Sequence, residues 1–176
     1  RDLTPMAKRH GVRYVAVDLA QSLSMVPVDV TAEGADFYAA SPHKWVQAPK
    51  GSGLLVTRRS VREQMDPLWV KRQRSAMPKT AEVFEDYSTR NIPGVLALGD
   101  AIAFQQRMGG GAQAKEARLL EIAGWFRDRV EASRTLKWRS ARERALSSSL
   151  FPVGLLNAAA AETERSAPAA GIVVPP

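Results

Sequence analysis

The stretch ADFYAASPHKWVQAPKGSGLLVT, residues 35–57, places a lysine between two short apolar runs. ADFYAAS has the length and the β-favouring residues of a strand, and LLVT indicates a second one. The segment APKGSG that joins them, with one proline and two glycines, is typical of a turn. We therefore predict a hairpin-like return of the chain, with Lys44 just after the first of these strands.

The residues before this stretch predict a further strand and a short connection. VRYVAVDLA, residues 12–20, is β-branched and apolar and ends in an acid, which is typical of a buried parallel strand. MVPVDVTAEG, residues 25–34, predicts a connection with a short helical turn. The carboxyl ends of parallel strands meet at one edge of a sheet, where ligands bind. We expect polar side chains from both strand ends at that edge of a mostly parallel sheet: Asp18, Gln21, Ser41, His43 and Lys44.

Helical patterns flank these strands on both sides. Residues 3–11 indicate a helix that ends at Gly11, and IPGVLALGDAIAFQQRMG (92–109) and AQAKEARLLEIAGWFRDRVEAS (112–133) indicate two amphipathic helices. Residues 59–87 predict an irregular connection, and residues 145–156 one more strand. The Ala- and Pro-rich tail, residues 157–176, predicts disorder. The fold class is therefore α/β.

The composition of the 176 residues, 45% hydrophobic and 24% charged, is ordinary for a soluble globular protein. No apolar run approaches the length of about 20 residues that spans a membrane, so we expect a soluble, cytoplasmic protein. The 176 residues contain no cysteine, which excludes disulfides, thiolate metal sites and a cysteine nucleophile among them.

The net charge of +7 and the pI near 10.1 raise nucleic acid as a partner. Basic residues cluster at 57–62, 70–74 and 133–144, but none of these clusters carries a helix-turn-helix, zinc-finger or RNA-recognition signature. Solvated basic surfaces are the favoured interpretation, and a basic binding module is kept as an alternative.

The polar residues expected at the sheet edge have the chemistry of a pyridoxal phosphate site. A lysine used in covalent catalysis needs a neutral amine, which partial burial favours. An aspartate at a neighbouring strand end can keep a heteroaromatic nitrogen protonated. A hydroxyl and a histidine nearby suit a phosphate group. Alone, each residue has an ordinary alternative: Asp18 or His43 as a local cap, and Gln21 or Ser41 as polar loop residues.

Residues 17–55, VDLAQSLSMVPVDVTAEGADFYAASPHKWVQAPKGSGLL, resemble the cofactor segment of the class V aminotransferase-fold enzymes. This group includes isopenicillin N epimerase-like proteins, cysteine desulfurases, selenocysteine lyases and kynureninases. FEDYSTRNIPGVLALGDAIAFQQRMG, residues 84–109, resembles a downstream block of the same family. The resemblance extends roughly from Leu3 to Leu136, and the wording of residues 35–51 favours the isopenicillin N epimerase-like branch. Cysteine desulfurase or selenocysteine lyase is the alternative.

The resemblance implies a role for each candidate residue and pyridoxal phosphate as the cofactor. Lys44 would form the Schiff base and later move the proton at the Cα of an amino-acid substrate, and Asp18 would pair with the pyridinium nitrogen. Gln21 would bond the phenolic oxygen of the ring, and Ser41 and His43 would hold the phosphate. Thr89 would reach the phosphate in the partner subunit of a homodimer.

The resemblance also implies a domain organisation. Residues 1–92 would be the later part of a three-layer α/β/α large domain of a fold-type I pyridoxal phosphate enzyme. Residues 93–156 would be helices leading into the small C-terminal domain, and 157–176 the tail. The family's phosphate-binding loop and stacking aromatic ring would precede Arg1. We therefore expect an incomplete segment that exposes apolar faces and is unstable and inactive by itself, and a non-catalytic structural remnant stays an alternative.

Two positions depart from the family pattern. Leu19 stands where glycine is usual after the aspartate, so that it is expected to crowd the cofactor edge. Ser88 stands where glycine is frequent, and it can substitute only if the backbone there does not require glycine.

Overall fold

The fold is known from a computed structural model that describes residues 3–68, 80–85 and 88–156. The chain forms two compact units, one ending at Gln113 and the other beginning at Ala114. The predicted tail and much of the predicted irregular connection lie outside the described residues. The predicted domain boundaries at residues 92 and 156 stay predictions.

A three-stranded sheet organises the first unit, with the strands in the order β1-β2-β3. Its strands are β1 (Ala16–Asp18), β2 (Phe37–Ala40) and β3 (Leu54–Thr57). β1 and β2 are parallel, with Asp18 opposite Ala39. β2 and β3 are antiparallel, with Ala40 opposite Leu54, which is the predicted return of the chain. The described sheet therefore has one parallel and one antiparallel pair, and it is not mostly parallel as expected.

The long helices follow the sequence signals, but two short helical elements lie in residues 59–87, which were predicted to be an irregular connection. They are α1 (Leu3–Arg9), α2 (Val30–Glu33), α3 (Arg59–Arg62), a 3-10 turn (Ala81–Phe84), α4 (Ile92–Arg107) and α5 (Gly111–Ala132). Asp29 begins α2 by accepting hydrogen bonds from two backbone N–H groups of its first turn, as an N-cap does. Asn91 begins α4 in the same way, by accepting a bond from Gly94 N at 3.1 Å.

Tyr38 is the centre of the core beneath the sheet. Its side chain is buried and packs with Leu19 and Ala35. Its hydroxyl accepts a hydrogen bond from Ala35 N at 2.8 Å and donates one to Val30 O at 3.0 Å. A buried hydroxyl needs such partners because an unpaired one is costly. This residue therefore ties the start of α2 and the residue that follows its C-cap to β2.

A buried carboxylate lies at the amino ends of β1 and β2, beside the carboxyl end of β3. Asp36 is 4% exposed, and its Oδ2 accepts hydrogen bonds from Lys8 Nζ at 2.5 Å and from Val15 N at 2.8 Å. Arg58 Nε lies 4.0 Å from Oδ1. Burial raises the pKa of the Asp36 carboxyl, but the bonds from Lys8 and Val15 and the charges of Lys8 and Arg58 outweigh burial and lower the pKa below its ordinary value.

The prediction that β1 is a buried strand is wrong for the described chain. Ala16 and Asp18 are exposed and Val17 is half-buried. The reason is that β1 lies at the edge of the described sheet and pairs with β2 alone. Apolar side chains are exposed elsewhere too, as expected, for example Leu55 on β3 and Val95 and Leu96 on α4.

The second unit packs α5 with a two-stranded sheet. β4 (Leu136–Trp138) and β5 (Val153–Leu155) pair antiparallel. Phe151 contacts Phe126 and Trp138, with ring centroids 5.5 and 4.4 Å apart. Sequence patterns predicted β5 but missed β4, which lies in residues 133–144, a segment noted only for its basic residues. No helix within the described ranges is long and apolar enough to span a membrane.

Replacing Asp36 by asparagine tests the buried carboxylate. We expect Asp36→Asn to lower the free energy of unfolding by about 2 kcal/mol at neutral pH, because charge-assisted bonds are lost inside the protein. A carboxyl with a lowered pKa stabilises the fold above its unfolded pKa of about 3.9, and this stability is lost as pH falls through the folded pKa. The difference from the wild type should therefore shrink below about pH 4.

Urea unfolding measured across the pH range checks this expectation. Asp100→Asn is the matched control, because Asp100 is exposed on α4, and its effect should stay within about 0.5 kcal/mol. A pH-independent difference between Asp36→Asn and the wild type would contradict the assignment.

Candidate functional site

The candidate site is formed by the two loops that follow β1 and β2. We call residues 19–26 the β1 loop and residues 41–48 the lysine loop. Because β1 and β2 are parallel neighbours, both loops leave the sheet at the same edge. The structure thus brings five candidates to that edge: Asp18, Gln21, Ser41, His43 and Lys44.

Buried residues anchor the lysine loop on both sides of Lys44. Pro42, Val46 and Ala48 are buried, whereas His43 and Lys44 are exposed. Backbone bonds from Lys44 N to Ser41 O (3.2 Å) and from Ala48 N to Pro42 O (3.1 Å) close the loop. The loop therefore holds its shape while presenting the histidine and the lysine outward.

The expected partial burial of Lys44 and Asp18 is not found. Both side chains are exposed in the described part of the chain. Asp18 Oδ1 accepts a hydrogen bond from Ala20 N at 2.7 Å, so this carboxylate has a local capping role as well. Its second oxygen has no hydrogen bond within the described residues.

Leu19 does not crowd the candidate site. Its side chain is 5% exposed and packs in the core with Ala35 and Tyr38, and its N–H donates to Ala39 O at 2.7 Å. The expected conflict with a cofactor was wrong, because the strand alternation directs Leu19 to the face opposite its exposed neighbour Asp18.

A side-chain hydrogen bond joins the two loops. Trp45 Nε1 donates to Gln21 Oε1 at 3.1 Å. Trp45 follows Lys44 directly, so the bond fixes the β1 loop beside the segment that carries the lysine. Sequence reasoning selected Gln21 but not its partner, since a tryptophan after a lysine has no signal of its own.

Gln105 on α4 makes a second link to both loops. Its Nε2 donates to Gln47 Oε1 at 2.8 Å, and its Oε1 accepts from Ser24 Oγ at 3.4 Å. Both bonded residues have left-handed backbones, with φ of 63° for Gln47 and 66° for Ser24. Such conformations cost free energy in non-glycine residues and persist only where the surroundings hold them.

Sequence reasoning missed Gln105, although a signal exists. Leu98 and Ala101 pack against the buried Val46 and Ala48, and position 105 continues the same helical stripe at the i, i+3, i+7 spacing. A polar residue at the end of an inward-facing stripe indicates a buried or shared hydrogen bond.

Thr89 is not joined to the other candidates by any hydrogen bond within the described residues, and its side chain is exposed. Ser88 before it has φ of 142°, in the region that favours glycine. The backbone here therefore has the conformation for which glycine is best suited. The role of Thr89 stays a prediction.

The chain matches the family Aminotransferase class-V over residues 1–174. The chain belongs to this family. Its members are enzymes that use pyridoxal phosphate. Both the predicted cofactor and the prediction of an enzyme family are therefore confirmed. The predicted resemblance is thereby confirmed at the level of the family.

Two curated relatives illustrate the match. A cysteine desulfurase of Yersinia pestis (strain Pestoides F) is 36% identical over 120 residues, which are 62% of this chain and 28% of the relative. A protein of Oryza sativa subsp. japonica, provisionally named L-cysteine desulfhydrase 1, is 30% identical over 121 residues, 67% of this chain and 24% of the relative. The chain thus spans about a quarter of the length of these relatives.

Solved structures confirm the fold. A cysteine desulfurase of Thermococcus onnurineus NA1 superposes with a TM-score of 0.74 at 22% identity, covering 97% of this chain and 44% of that one. A cysteine desulfurase of Escherichia coli gives 0.71 at 24% identity, with 96% and 42% coverage. The α/β assignment, as part of a larger pyridoxal phosphate enzyme domain, is therefore confirmed.

The residues at the sheet edge fit pyridoxal phosphate by their chemistry. They present an amine, a carboxylate with one unbonded oxygen, an amide whose oxygen is already engaged, a hydroxyl and an imidazole. These groups match an aldehyde, a pyridine nitrogen, a phenolic oxygen and a phosphate. Each is exposed or half-exposed, and therefore accessible to a ligand.

Replacing Gln105 by methionine tests its link to the loops. Gln105→Met keeps the length of the side chain and removes its hydrogen bonds, so we expect a loss of about 1 kcal/mol of unfolding free energy. The amides of residues 22–26 and 44–48 should exchange faster with solvent, because these loops lose a restraint.

Hydrogen exchange detected by mass spectrometry checks this, with Gln106→Met as the matched control. Gln106 is exposed and next in sequence, so its replacement should leave both loops unchanged. Equal exchange in the two variants would rule out the restraining role of Gln105.

Proposed function

We propose that this chain carries the cofactor-binding lysine of a pyridoxal phosphate enzyme that acts on an amino acid, with Lys44 as the catalytic residue. The parallel pairing of β1 with β2 supports this most directly, because it sets Asp18 and the lysine loop at the same sheet edge. Family membership supports the cofactor. The activity of the whole enzyme requires groups beyond these residues.

Each candidate has a role in this proposal. Pyridoxal phosphate, when bound, supplies an electron sink for negative charge at the substrate Cα. Lys44 Nζ holds the cofactor covalently and later moves the proton at that Cα. Asp18 keeps the pyridine nitrogen protonated through its charge, and Gln21 donates to the phenolic oxygen.

The phosphate is held by other residues. Ser41 and His43 bind it from the lysine loop, next to Lys44. Thr89 reaches the phosphate of a second subunit, so the proposal includes a homodimer with shared sites. The cytoplasm is the proposed location.

The favoured reaction is cleavage of the carbon–sulfur bond of a cysteine-like substrate. The similarity to proteins named as cysteine desulfurase and cysteine desulfhydrase supports it. Elimination breaks the Cα–H and Cβ–S bonds, and with one water L-cysteine gives pyruvate, ammonia and hydrogen sulfide. Transfer of the sulfur as a persulfide to a thiol acceptor, which leaves alanine, is the alternative fate of the same C–S bond.

Epimerisation is the second candidate reaction. The wording of residues 35–51, with Ser-Pro-His-Lys-Trp and Ala-Pro-Lys-Gly, resembles the isopenicillin N epimerase-like branch. Epimerisation needs removal and return of the Cα proton but no leaving group, so its products differ from those of elimination.

Covalent labelling tests the role of Lys44. We expect borohydride reduction of the protein mixed with pyridoxal phosphate to fix the cofactor on Lys44, as peptide mapping would show, and Lys44→Ala to abolish this label. Lys50→Ala is the matched control, because Lys50 is an exposed lysine of the following turn. Labelling scattered over many lysines would contradict the proposal.

The reaction is tested on the whole enzyme that contains these residues, loaded with pyridoxal phosphate. With L-cysteine we expect pyruvate and sulfide in equal amounts, and less than 1% of that rate, roughly a hundredfold loss, in Lys44→Ala. Alanine in place of pyruvate would indicate sulfur transfer. Exchange of the Cα proton with solvent, without sulfide, would favour epimerisation.

A further inference from the structure

The hydrogen bond between Trp45 and Gln21 determines which end of the Gln21 amide faces the candidate site. An indole N–H donates a hydrogen bond and cannot accept one. Trp45 Nε1 lies 3.1 Å from Gln21 Oε1, so the amide must turn its oxygen toward the indole. Its NH₂ group then points away from Trp45, and no hydrogen bond within the described residues uses it.

Without a hydrogen bond from a neighbouring donor, a glutamine amide has no preferred orientation of its oxygen and its NH₂ group. Gln21 is exposed, and rotation by 180° about its last side-chain bond exchanges a donor for an acceptor of nearly the same shape. A phenolic oxygen is an acceptor that carries negative charge. An amide that presents NH₂ attracts it, whereas an amide that presents oxygen repels it.

The lysine loop holds Trp45 in the position from which its indole N–H donates to Gln21. Trp45 lies between Lys44 and the buried Val46, which packs with Leu98 and Ala48. Its ring is half-buried, so its position depends on the anchored loop and not on the ligand. The amide orientation is thereby set before any cofactor arrives.

We propose that Trp45 is a positioning residue that fixes the Gln21 amide with its NH₂ toward the phenolic oxygen of pyridoxal phosphate. The proposal rests on the function proposed above. Trp45 does not touch the reacting atoms in this role and acts through Gln21.

Cofactor titration of matched variants tests the proposal. Trp45→Phe removes the N–H and keeps an aromatic ring. We expect it to weaken the binding of pyridoxal phosphate about fivefold, the worth of one neutral hydrogen bond. The pH midpoint of the visible band of the bound cofactor should move in the same direction as in Gln21→Leu. Trp125→Phe, on the exposed Trp125, is the control and should change neither quantity.

A double-mutant cycle separates positioning from a general effect of the ring. If Trp45 acts through Gln21, Trp45→Phe should have no further effect on binding or on the pH midpoint in the Gln21→Leu background. A full fivefold loss in that background would overturn the proposal. So would unchanged binding in Trp45→Phe beside weakened binding in Gln21→Leu.

Gln21→Glu gives a test that leaves Trp45 intact. The glutamate keeps an oxygen that accepts from the indole N–H, but it lacks the NH₂ group. The Gln21→Glu variant should therefore bind pyridoxal phosphate at least as weakly as the Gln21→Leu variant. Wild-type affinity in Gln21→Glu would overturn the proposal. In the cofactor-free protein, the indole N–H resonance of Trp45 should shift in Gln21→Leu, and no shift would show that the bond is absent.

The labelling experiment distinguishes the two levels of inference. If the wild type is not labelled at Lys44, the proposed function fails and the role of Trp45 fails with it. If the wild type is labelled and Trp45→Phe binds the cofactor equally well, only the role of Trp45 is overturned.

Discussion

The buried carboxylate of Asp36 is the interaction on which the first unit depends. It accepts hydrogen bonds from Lys8 in the last turn of α1 and from Val15, the residue before β1. It also lies near Arg58, the residue that follows β3. One charge therefore gathers three separate segments around β2. A buried charge is costly unless it is paired and hydrogen-bonded, so these segments must stay together for the strands to stay paired.

The two ends of the sheet have different tasks. The amino ends hold the charge cluster around Asp36, whereas the carboxyl ends carry the polar groups proposed to bind a cofactor. Because β1 and β2 are parallel, these two sets of polar groups lie at opposite edges. The charges that stabilise the fold around Asp36 are thus separated from the polar groups proposed to bind the cofactor.

The loops of the candidate site are held under restraint. Ser24 and Gln47 have left-handed backbones, and both bond Gln105 on α4. The buried residues Pro42, Val46 and Ala48 anchor the lysine loop in the core. Trp45 adds a link across to Gln21. This arrangement holds exposed side chains in fixed positions, which lowers the entropic cost of binding a ligand.

The sequence by itself determined most of the local elements, the family and the candidate residues, because each of these has a short-range signal. Periodicity located α4 and α5, turn residues located the return into β3, and the Ser-Pro-His-Lys-Trp segment identified the lysine. Only the tertiary structure decided which residues are buried and which hydrogen bonds connect them. Leu19 was expected to crowd the site and instead packs in the core, since its direction depends on the strand. The exposure of Asp18 and Lys44 was likewise decided by the tertiary structure. The hydrogen bonds of Asp36, Gln105 and Trp45 join residues that lie 21 to 81 positions apart in the chain. No local pattern encodes such pairs, because they arise when the packed elements bring the side chains together.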